Sequence, residues 1–312
     1  MQDNRSIQAE RPPSPMSFPV PFPGDSSGSA PARLRTLLAG EGCLTMPCCF
    51  DALSARLIEQ SGFALSFMSG FAVSAARLAL PDTGLITVTE MLDQGRAICQ
   101  AVAIPVIADG DTGHGNPANV RRSVTQFGLA GFAGVMIEDQ AAPKRCGHTG
   151  VKEVVGRAEA LARVRAAVDA RDAGAGTLIM ARTDARSALG LEEALWRLAA
   201  FADLGADLLF LEAPRDEAEM ARCCRQVPGV HMANMLEGGL TPVLPPARLA
   251  ELGYRIAAYP LTLLAVAVAA MREALAGLAA GQMPPHQTDF ATLRVILGFD
   301  AYDRLLEDYA AP

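Results

Sequence analysis

A chain of 312 residues, half of them apolar and a fifth charged, can bury one large core or two ordinary ones, which excludes a fibrous or wholly disordered protein. Its net charge of −7, its pI near 5.2 and the lack of any basic block give no footing for nucleic acid or an anionic membrane surface. Seven cysteines, an odd number with no C-x₂-C pairs, exclude a disulfide framework and a zinc ribbon, and fit small buried side chains in a reducing cytosol.

Residues 1–31 carry six prolines before Gly24, then Asp25-Ser26-Ser27-Gly28-Ser29, a composition that predicts a disordered tail and not a signal peptide. From Arg33 onward a short aliphatic run, a loop and an amphipathic Ala/Leu-rich segment alternate. Strands are expected at 44–48, 64–68, 105–109, 134–138, 177–182, 207–212, 230–234 and 255–258. Helices are expected at 52–60, 88–101, 117–129, 157–172, 191–204, 217–226 and 246–252. Asn116-Pro117 reads as a cap followed by proline at the first helical position, and Gly205 closes the helix before the sixth strand. Trp196 is expected in the core of its helix. The longest apolar run, 256–271, is short for a membrane span and contains Pro260, so it predicts the last strand followed by a buried helix. A Pro-containing connector at 281–289 then leads to a final helical pair at 290–309.

Eight strands alternating with helices predict the α/β class: one closed (β/α)₈ barrel of TIM type at 32–280, after a tail at 1–31 and before a helical extension at 281–312. The rival, an open doubly wound sheet, lacks its Gly-x-Gly-x-x-Gly after the first strand.

In such a barrel the C-terminal strand ends converge on one face. Those ends read Ser69-Gly70, Asp109-x-Asp111, Glu138-Asp139, Arg182-Thr183-Asp184, Glu212 and Asn234. One polar strand end is only where the chain meets water; several carboxylates and an arginine at successive ends make a site. Asp109, Asp111 and Glu138 supply the hard oxygens that Mg²⁺ prefers. Such an ion stabilises an enolate oxygen when the neighbouring carbon–carbon bond breaks. Asp82, in Leu80-Pro81-Asp82-Thr83-Gly84, either reaches the same cluster or makes an ordinary Pro-Asp turn. The Arg182 fork suits a substrate carboxylate, and the amides around Ser69-Gly70-Phe71 suit a carboxylate or oxyanion.

Between Glu138 and Arg157 lie 18 residues with little periodicity, the length of a lid or binding loop. They include Lys144-Arg145-Cys146-Gly147-His148, where flanking cations should lower the thiol pKa and let Cys146 exchange a proton near neutrality. His114 either lines the site or is structural; His231 and His286 are expected to be structural.

Five ordered motifs now carry a resemblance: Asp109-Gly-Asp-Thr-Gly-His-Gly-Asn116, Glu138-Asp-Gln140, Lys144-Arg-Cys-Gly-His148, Ala181-Arg-Thr-Asp-Ala185 and Asn234-Met-Leu-Glu-Gly-Gly239. In order and spacing, from Phe50 to Met271, the chain resembles the isocitrate lyase/phosphoenolpyruvate mutase superfamily. The resemblance implies that Asp109 is the direct Mg²⁺ ligand (Mn²⁺ being the alternative ion), with Asp82, Asp111 and Glu138 holding its waters. It implies that Ser69, Gly70 and Arg182 bind a carboxylate, that Cys146 is the general acid on a closing loop, and that Glu212 and Asn234 line the far end of the pocket. It further implies a homotetramer, a dimer of dimers, with the eighth helix swapped between subunits.

The absence of an inserted segment and of Ser-Pro-Ser near the seventh strand argues against isocitrate as substrate, and the cysteine loop argues against phosphoenolpyruvate mutase activity. Asn234-Met-Leu departs from the usual methylisocitrate lyase pattern, and His114 stands where many members carry tyrosine. The expected activity is a Mg²⁺-dependent carbon–carbon lyase on a 2-hydroxy di- or tricarboxylate, 2,3-dimethylmalate- or 2-methylisocitrate-like, releasing a 2-oxo acid such as pyruvate. The rivals are a carboxyvinyl-carboxyphosphonate phosphorylmutase or other phosphonate-forming mutase, an oxaloacetate acetylhydrolase or decarboxylase, and a catalytically silent barrel that only binds. The expected catalytic residues are Cys146, Arg182, Lys144, His148 and Glu212. Ser69, Gly70, Phe71, Arg182, Asn234 and His114 are expected to bind substrate, and Asp109, Asp111, Glu138 and Asp82 to hold the metal. The expected setting is cytoplasmic, with a small carboxylate substrate and neither nucleic acid nor membrane as partner.

Overall fold

A computed structural model of the chain describes residues 28–145 and 152–310. Eight strands close in chain order into one parallel barrel. They are β1 (Leu44–Cys49), β2 (Ser66–Met68), β3 (Val106–Asp109), β4 (Gly134–Glu138), β5 (Leu178–Thr183), β6 (Leu208–Leu211), β7 (His231–Asn234) and β8 (Tyr254–Tyr259). Each is short and largely buried without alternation; Gly134–Glu138 is buried throughout. That is the mark of a strand with barrel interior on one face and helices on the other. The register sets Asp109 beside Met136 and Glu138 beside Arg182, so the charged ends emerge together on one rim.

The helices are α1 (Ala30–Leu38), α2 (Ala52–Gln60), α3 (Gly70–Leu78), α4 (Val88–Ala101), α5 (Pro117–Leu129), α6 (Arg157–Ala170), α7 (Ala185–Ala188), α8 (Leu191–Asp203), α9 (Glu217–Gln226), α10 (Pro246–Leu252), α11 (Thr262–Ala279), α12 (Phe290–Leu297) and α13 (Phe299–Asp308). Several boundaries are local chemistry. Asp51 and Ser54 form a capping box on α2, as do Thr87 and Glu90 on α4. Asn116 accepts from the amides of Ala118 and Asn119 at the start of α5.

Three helices lie where the sequence predicts none. Ser29 caps α1 inside the stretch expected to be a tail, and Leu34 of that helix is fully buried against the barrel interior with Met46, Leu178 and Ile256. α3 starts directly after Ser69, and α7 is a single turn.

Between the strands and the surrounding helices lies the larger core, in which Phe127 and Phe132 meet edge to face at 5.5 Å between ring centroids. Gly95 of α4 faces that pair, and a Cβ there would overlap the Phe132 ring. Gly95→Ala is therefore expected to destabilise the barrel by about 1–3 kcal/mol through overpacking, although alanine favours helix elsewhere. Denaturant unfolding checks it, and a neutral or stabilising result would contradict the contact.

Two expectations are corrected. The helix after β8, α11, is not buried: none of its residues is, and Val266, Met271 and Leu275 are among its well-exposed apolar side chains. Apolar composition drives burial only where a surface exists to cover it, and the described residues supply one for little beyond Leu263 in the first turn. By length and composition α11 is apolar enough to cross a membrane. Trp196 is 39% exposed and carries the Arg157 guanidinium over its ring at 3.8 Å, a cation–π contact at the edge of α8 and not a core position.

Cys48, Cys49 and Cys223 are buried; Cys43, Cys99 and Cys224 are half-buried, and all six are free thiols. His231 is a satisfied core histidine, its Nε2 2.7 Å from the Val227 carbonyl oxygen.

The segment from Asp289 onward forms a separate compact unit. Within it Asp289 caps α12, and Arg294 lies over the Phe299 ring at 4.6 Å and 3.7 Å from Asp303.

Candidate active site

The C-terminal rim of the barrel holds a cleft of about 570 Å³. Ser69, Phe71, Asp82, Asp109, Arg182, Glu212 and Asn234, all read from sequence as site residues, line it. Its floor is apolar, made by Cys48, Phe67, Met136, Phe210, Met232 and Ala258 from inside the barrel.

Asp109, at the end of β3, is anchored on both oxygens. Oδ2 accepts the Gly70 amide at 3.1 Å, and Oδ1 accepts the Asp111 amide at 3.0 Å. A Cβ at residue 70 would lie 2.6 Å from that Oδ2, so only glycine lets the start of α3 approach the carboxylate this closely. Asp111 itself has φ of 48°, a left-handed conformation uncommon outside glycine. That turn brings its carboxylate against Lys144.

Lys144 is the centre of the acidic cluster. Its Nζ is 2.5 Å from Asp82 Oδ1 and pairs equally closely with Asp111 Oδ1. Burial works against its charge, but Asp111, Asp109, Asp82 and Glu138 outweigh that and hold it well above its ordinary range. Among the described residues no three of these side chains are set as a ready metal-binding cluster; the ammonium draws two of them together instead.

The donor set nevertheless fits a hard divalent cation. Four carboxylates (Asp82, Asp109, Asp111 and Glu138) face one another, all buried, and Glu138 Oε1 is shut away from water with no hydrogen-bond partner. Burying so much negative charge beside one ammonium is costly, and an ion taking oxygen ligands relieves it.

The strain registers in the acids. Burial pushes Asp111 up to about 7, with Asp109 and Asp82 adding to it and Lys144 opposing. Burial also raises Glu138 well above the usual carboxylate range, with Arg182 opposing and Asp184 adding. A folded carboxyl raised above its unfolded value of about 3.9 binds more protons than the unfolded chain, so its contribution falls as pH rises through that window. In chelator, the stability difference between the wild type and Asp111→Asn is accordingly expected to move in the variant's favour from pH 5 to pH 7. Urea midpoints at the two pH values check this, and a difference independent of pH would refute it.

Arg182, at the end of β5, is saturated with carboxylates. Nε and Nη2 form a fork on Asp184 at 2.9 and 3.0 Å, while Glu138 and Glu212 stand further off, each at 3.3 Å. Lys152 Nζ reaches the same Asp184 at 3.2 Å. The Glu212 carboxylate accepts from its neighbour Ala213, whose φ is 55°, and lies 3.5 Å from Asn234 Nδ2.

The turn at Ser69-Gly70-Phe71 is less free than the sequence suggests. Ser69 donates its amide to the Cys49 carbonyl and caps α3 with its hydroxyl, and the Gly70 amide is held by Asp109. His114 stands behind the cleft, its Nδ1 3.2 Å from Ser123 Oγ. Burial lowers its pKa to about 4, with Asp109 opposing and Lys144 adding to the shift. Cys146 and His148 lie outside the described residues. The base of their loop is fixed: Ala141 and Val155 pair backbone to backbone with Glu153 and Asp139. Sequence reasoning missed Lys152, and gave no role to Asp139, Asp184 or Arg197; a lysine just beyond a cysteine loop was the available signal for the first.

The phosphoenolpyruvate phosphomutase family matches residues 34–279. A 2,3-dimethylmalate lyase of Eubacterium barkeri is 41% identical over 284 residues, covering 89% of this chain and 98% of that one. A structure of oxaloacetate acetylhydrolase with the inhibitor 3,3-difluorooxalacetate superposes with a TM-score of 0.86 at 34% identity, covering 91% of this chain and 98% of that one. A phosphonopyruvate hydrolase complex with oxalate and Mg²⁺ gives a TM-score of 0.79 at 30% identity, covering 90% and 99%.

Proposed function

The chain belongs to the phosphoenolpyruvate phosphomutase family, within the isocitrate lyase/phosphoenolpyruvate mutase superfamily, and we propose that it is a Mg²⁺-dependent carbon–carbon lyase. Its substrate is a 2-hydroxy dicarboxylate or tricarboxylate of the 2,3-dimethylmalate or 2-methylisocitrate kind, and a 2-oxo acid such as pyruvate is released. One observation carries the reading: Asp82, Asp109 and Arg182 line a cleft whose floor is apolar, with Asp111 paired to the Lys144 that also holds Asp82, and with Glu138 set 3.3 Å from Arg182. Anionic and oxygen-rich groups bind at the rim, and alkyl groups suit the floor.

Asp82 and Asp111 pair with Lys144, and together with Asp109 and Glu138 they would hold the metal. When bound it supplies electrophilic stabilisation of the oxygen that becomes the 2-oxo group. Arg182 takes a substrate carboxylate on the donors now shared loosely with Glu138 and Glu212, while Asp184 keeps its fork. The Ser69 hydroxyl and the Phe71 amide at the start of α3 orient the same carboxylate. Glu212 and Asn234 bound the far end of the cleft. As the carbon–carbon bond breaks, the 2-hydroxyl gives its proton to a carboxylate of the acidic cluster and becomes the 2-oxo group, and Cys146 delivers its thiol proton to the carbon that leaves as a carbanion, a role resting on the Lys144-Arg-Cys-Gly-His148 motif.

Assaying 2,3-dimethylmalate, 2-methylisocitrate, oxaloacetate and phosphonopyruvate with Mg²⁺ tests this. Cleavage of one of the first two is expected. Turnover of oxaloacetate alone would favour the hydrolase that the 0.86 superposition keeps in view, and turnover of phosphonopyruvate alone would sink the lyase reading.

The same reading includes a homotetramer in the cytosol, with α11 packed on a neighbouring barrel. Its support is the long, apolar and uncovered α11. Leu275→Glu, at a side chain 66% exposed in the single chain, is expected to leave the barrel folded and reduce the assembly. Light scattering reads the mass, and an unchanged mass would remove α11 from the interface.

A further inference from the structure

We propose that Asp139 and Arg197 are positioning residues for Arg182: this buried pair fixes the Thr183-Asp184 turn, and Asp184 fixes the guanidinium. The inference rests on the reading above, in which Arg182 receives the substrate carboxylate.

A long arginine side chain is not placed by its strand alone; its partners decide where the fork points. Asp184 makes a two-point fork on Arg182, at 2.9 and 3.0 Å, closer than Glu138 and Glu212 at 3.3 Å. Asp184 is fully buried, and its own position is set from behind. Its amide donates to Asp139 Oδ1 at 2.9 Å, while the Thr183 hydroxyl donates to Asp139 Oδ2 at 2.6 Å. Arg197 Nη1 adds another donor to that Oδ2 at 2.9 Å. One carboxylate thus collects donors from the end of β5 and from the middle of α8, and both Asp139 and Arg197 are 2% exposed.

The chain of contacts continues outward. Arg197 Nε is 2.9 Å from Glu193 Oε1, and the exposed Arg157 holds Glu193 with its own fork while stacking on Trp196. Neither Asp139 nor Arg197 lines the cleft, so neither touches a substrate there. Their geometry serves the turn that carries Asp184. A purely structural role, holding α8 to the barrel, uses the same bonds, and the two roles separate by whether the effect passes through Arg182.

Oxalate binding to the full chain with Mg²⁺, measured by calorimetry, makes that separation. The variants are Asp139→Asn, Arg197→Met and Arg197→Lys, each alone and combined with Arg182→Lys, which keeps the charge and removes the fork. Asp139→Asn and Arg197→Met are expected to weaken oxalate by about tenfold or more, with Arg197→Lys recovering part of the loss. In the Arg182→Lys background the same changes are expected to shift affinity by less than about twofold, as coupled residues do. Wild-type affinity in the single variants, or equal losses in both backgrounds, would overturn the proposal. If Asp139→Asn does not fold, the two Arg197 variants carry the cycle. A wild type that fails to bind oxalate would instead overturn the reading of the cleft, and the positioning role with it.

Discussion

Asp109→Ala is expected to abolish Mg²⁺-dependent turnover, a loss of at least about 10³-fold if the reaction depends on the ion for its charge stabilisation. The size follows from what one side chain does. Asp109 is the carboxylate of the cluster held on both oxygens by backbone amides, from Gly70 at the start of α3 and from Asp111 in the following turn. It joins the ends of β2 and β3, and backbone amides fix the position of both its oxygens, whereas Asp82 and Asp111 are held by the Lys144 ammonium. Alanine removes the ligand and leaves two buried amides without acceptors, each costing about 1–3 kcal/mol. Asp109→Asn separates the two effects, because its single carbonyl oxygen keeps one amide satisfied while the charge is lost. Activity should be as low as in the alanine variant, and the melting temperature closer to that of the wild type. Turnover within tenfold of wild type in either variant would remove Asp109 from the centre of the mechanism.

Cys146→Ser should lower turnover by about 10² to 10⁴-fold, the range for a general acid, while Mg²⁺ and oxalate affinities stay within about twofold. Serine keeps the shape of the side chain and loses the proton that can be given near neutrality. The flanks of the loop argue that the change stays local. Before the cysteine, the Gln140 side chain binds both the amide and the carbonyl of Arg145, each at 2.9 Å. After it, Lys152 is tied to Asp184. Single-turnover kinetics with direct calorimetry make the check, and unchanged turnover would take the thiol out of the proton transfer.

Much of this molecule is readable without coordinates because its signals are local. The helices at 52–60, 88–101, 117–129, 217–226 and 246–252 start and stop where the sequence places them. Caps such as Asp51, Thr87 and Asn116 act within three residues. Several barrel strands announce themselves as aliphatic runs ending in polar or charged residues; Ser69, Asp109, Arg182, Glu212 and Asn234 from those ends line the cleft, while Asp111 and Glu138 do not. α3 escapes because its first residues, Ser69-Gly70-Phe71, look like a turn waiting for an anion. In the folded chain the Ser69 hydroxyl caps a helix and the Gly70 amide serves Asp109. Trp196 escapes because its large apolar ring suggests burial, while Arg157, 39 positions earlier, offers it a cation instead.

By itself, then, the sequence determined the closed parallel barrel, the acidic rim with Asp109, Asp111 and Glu138, and the family to which these motifs point. Hydrophobic runs, caps and strand ends are written within a few residues of one another. Tertiary structure alone decided that Lys144 sits between Asp82 and Asp111, that Asp184 and not a bare strand end orients Arg182, and that α11 finds little cover among the described residues. Each of those depends on charges or apolar faces far apart in sequence, whose energies follow distance through space and exclusion of water, and neither is fixed until the barrel closes.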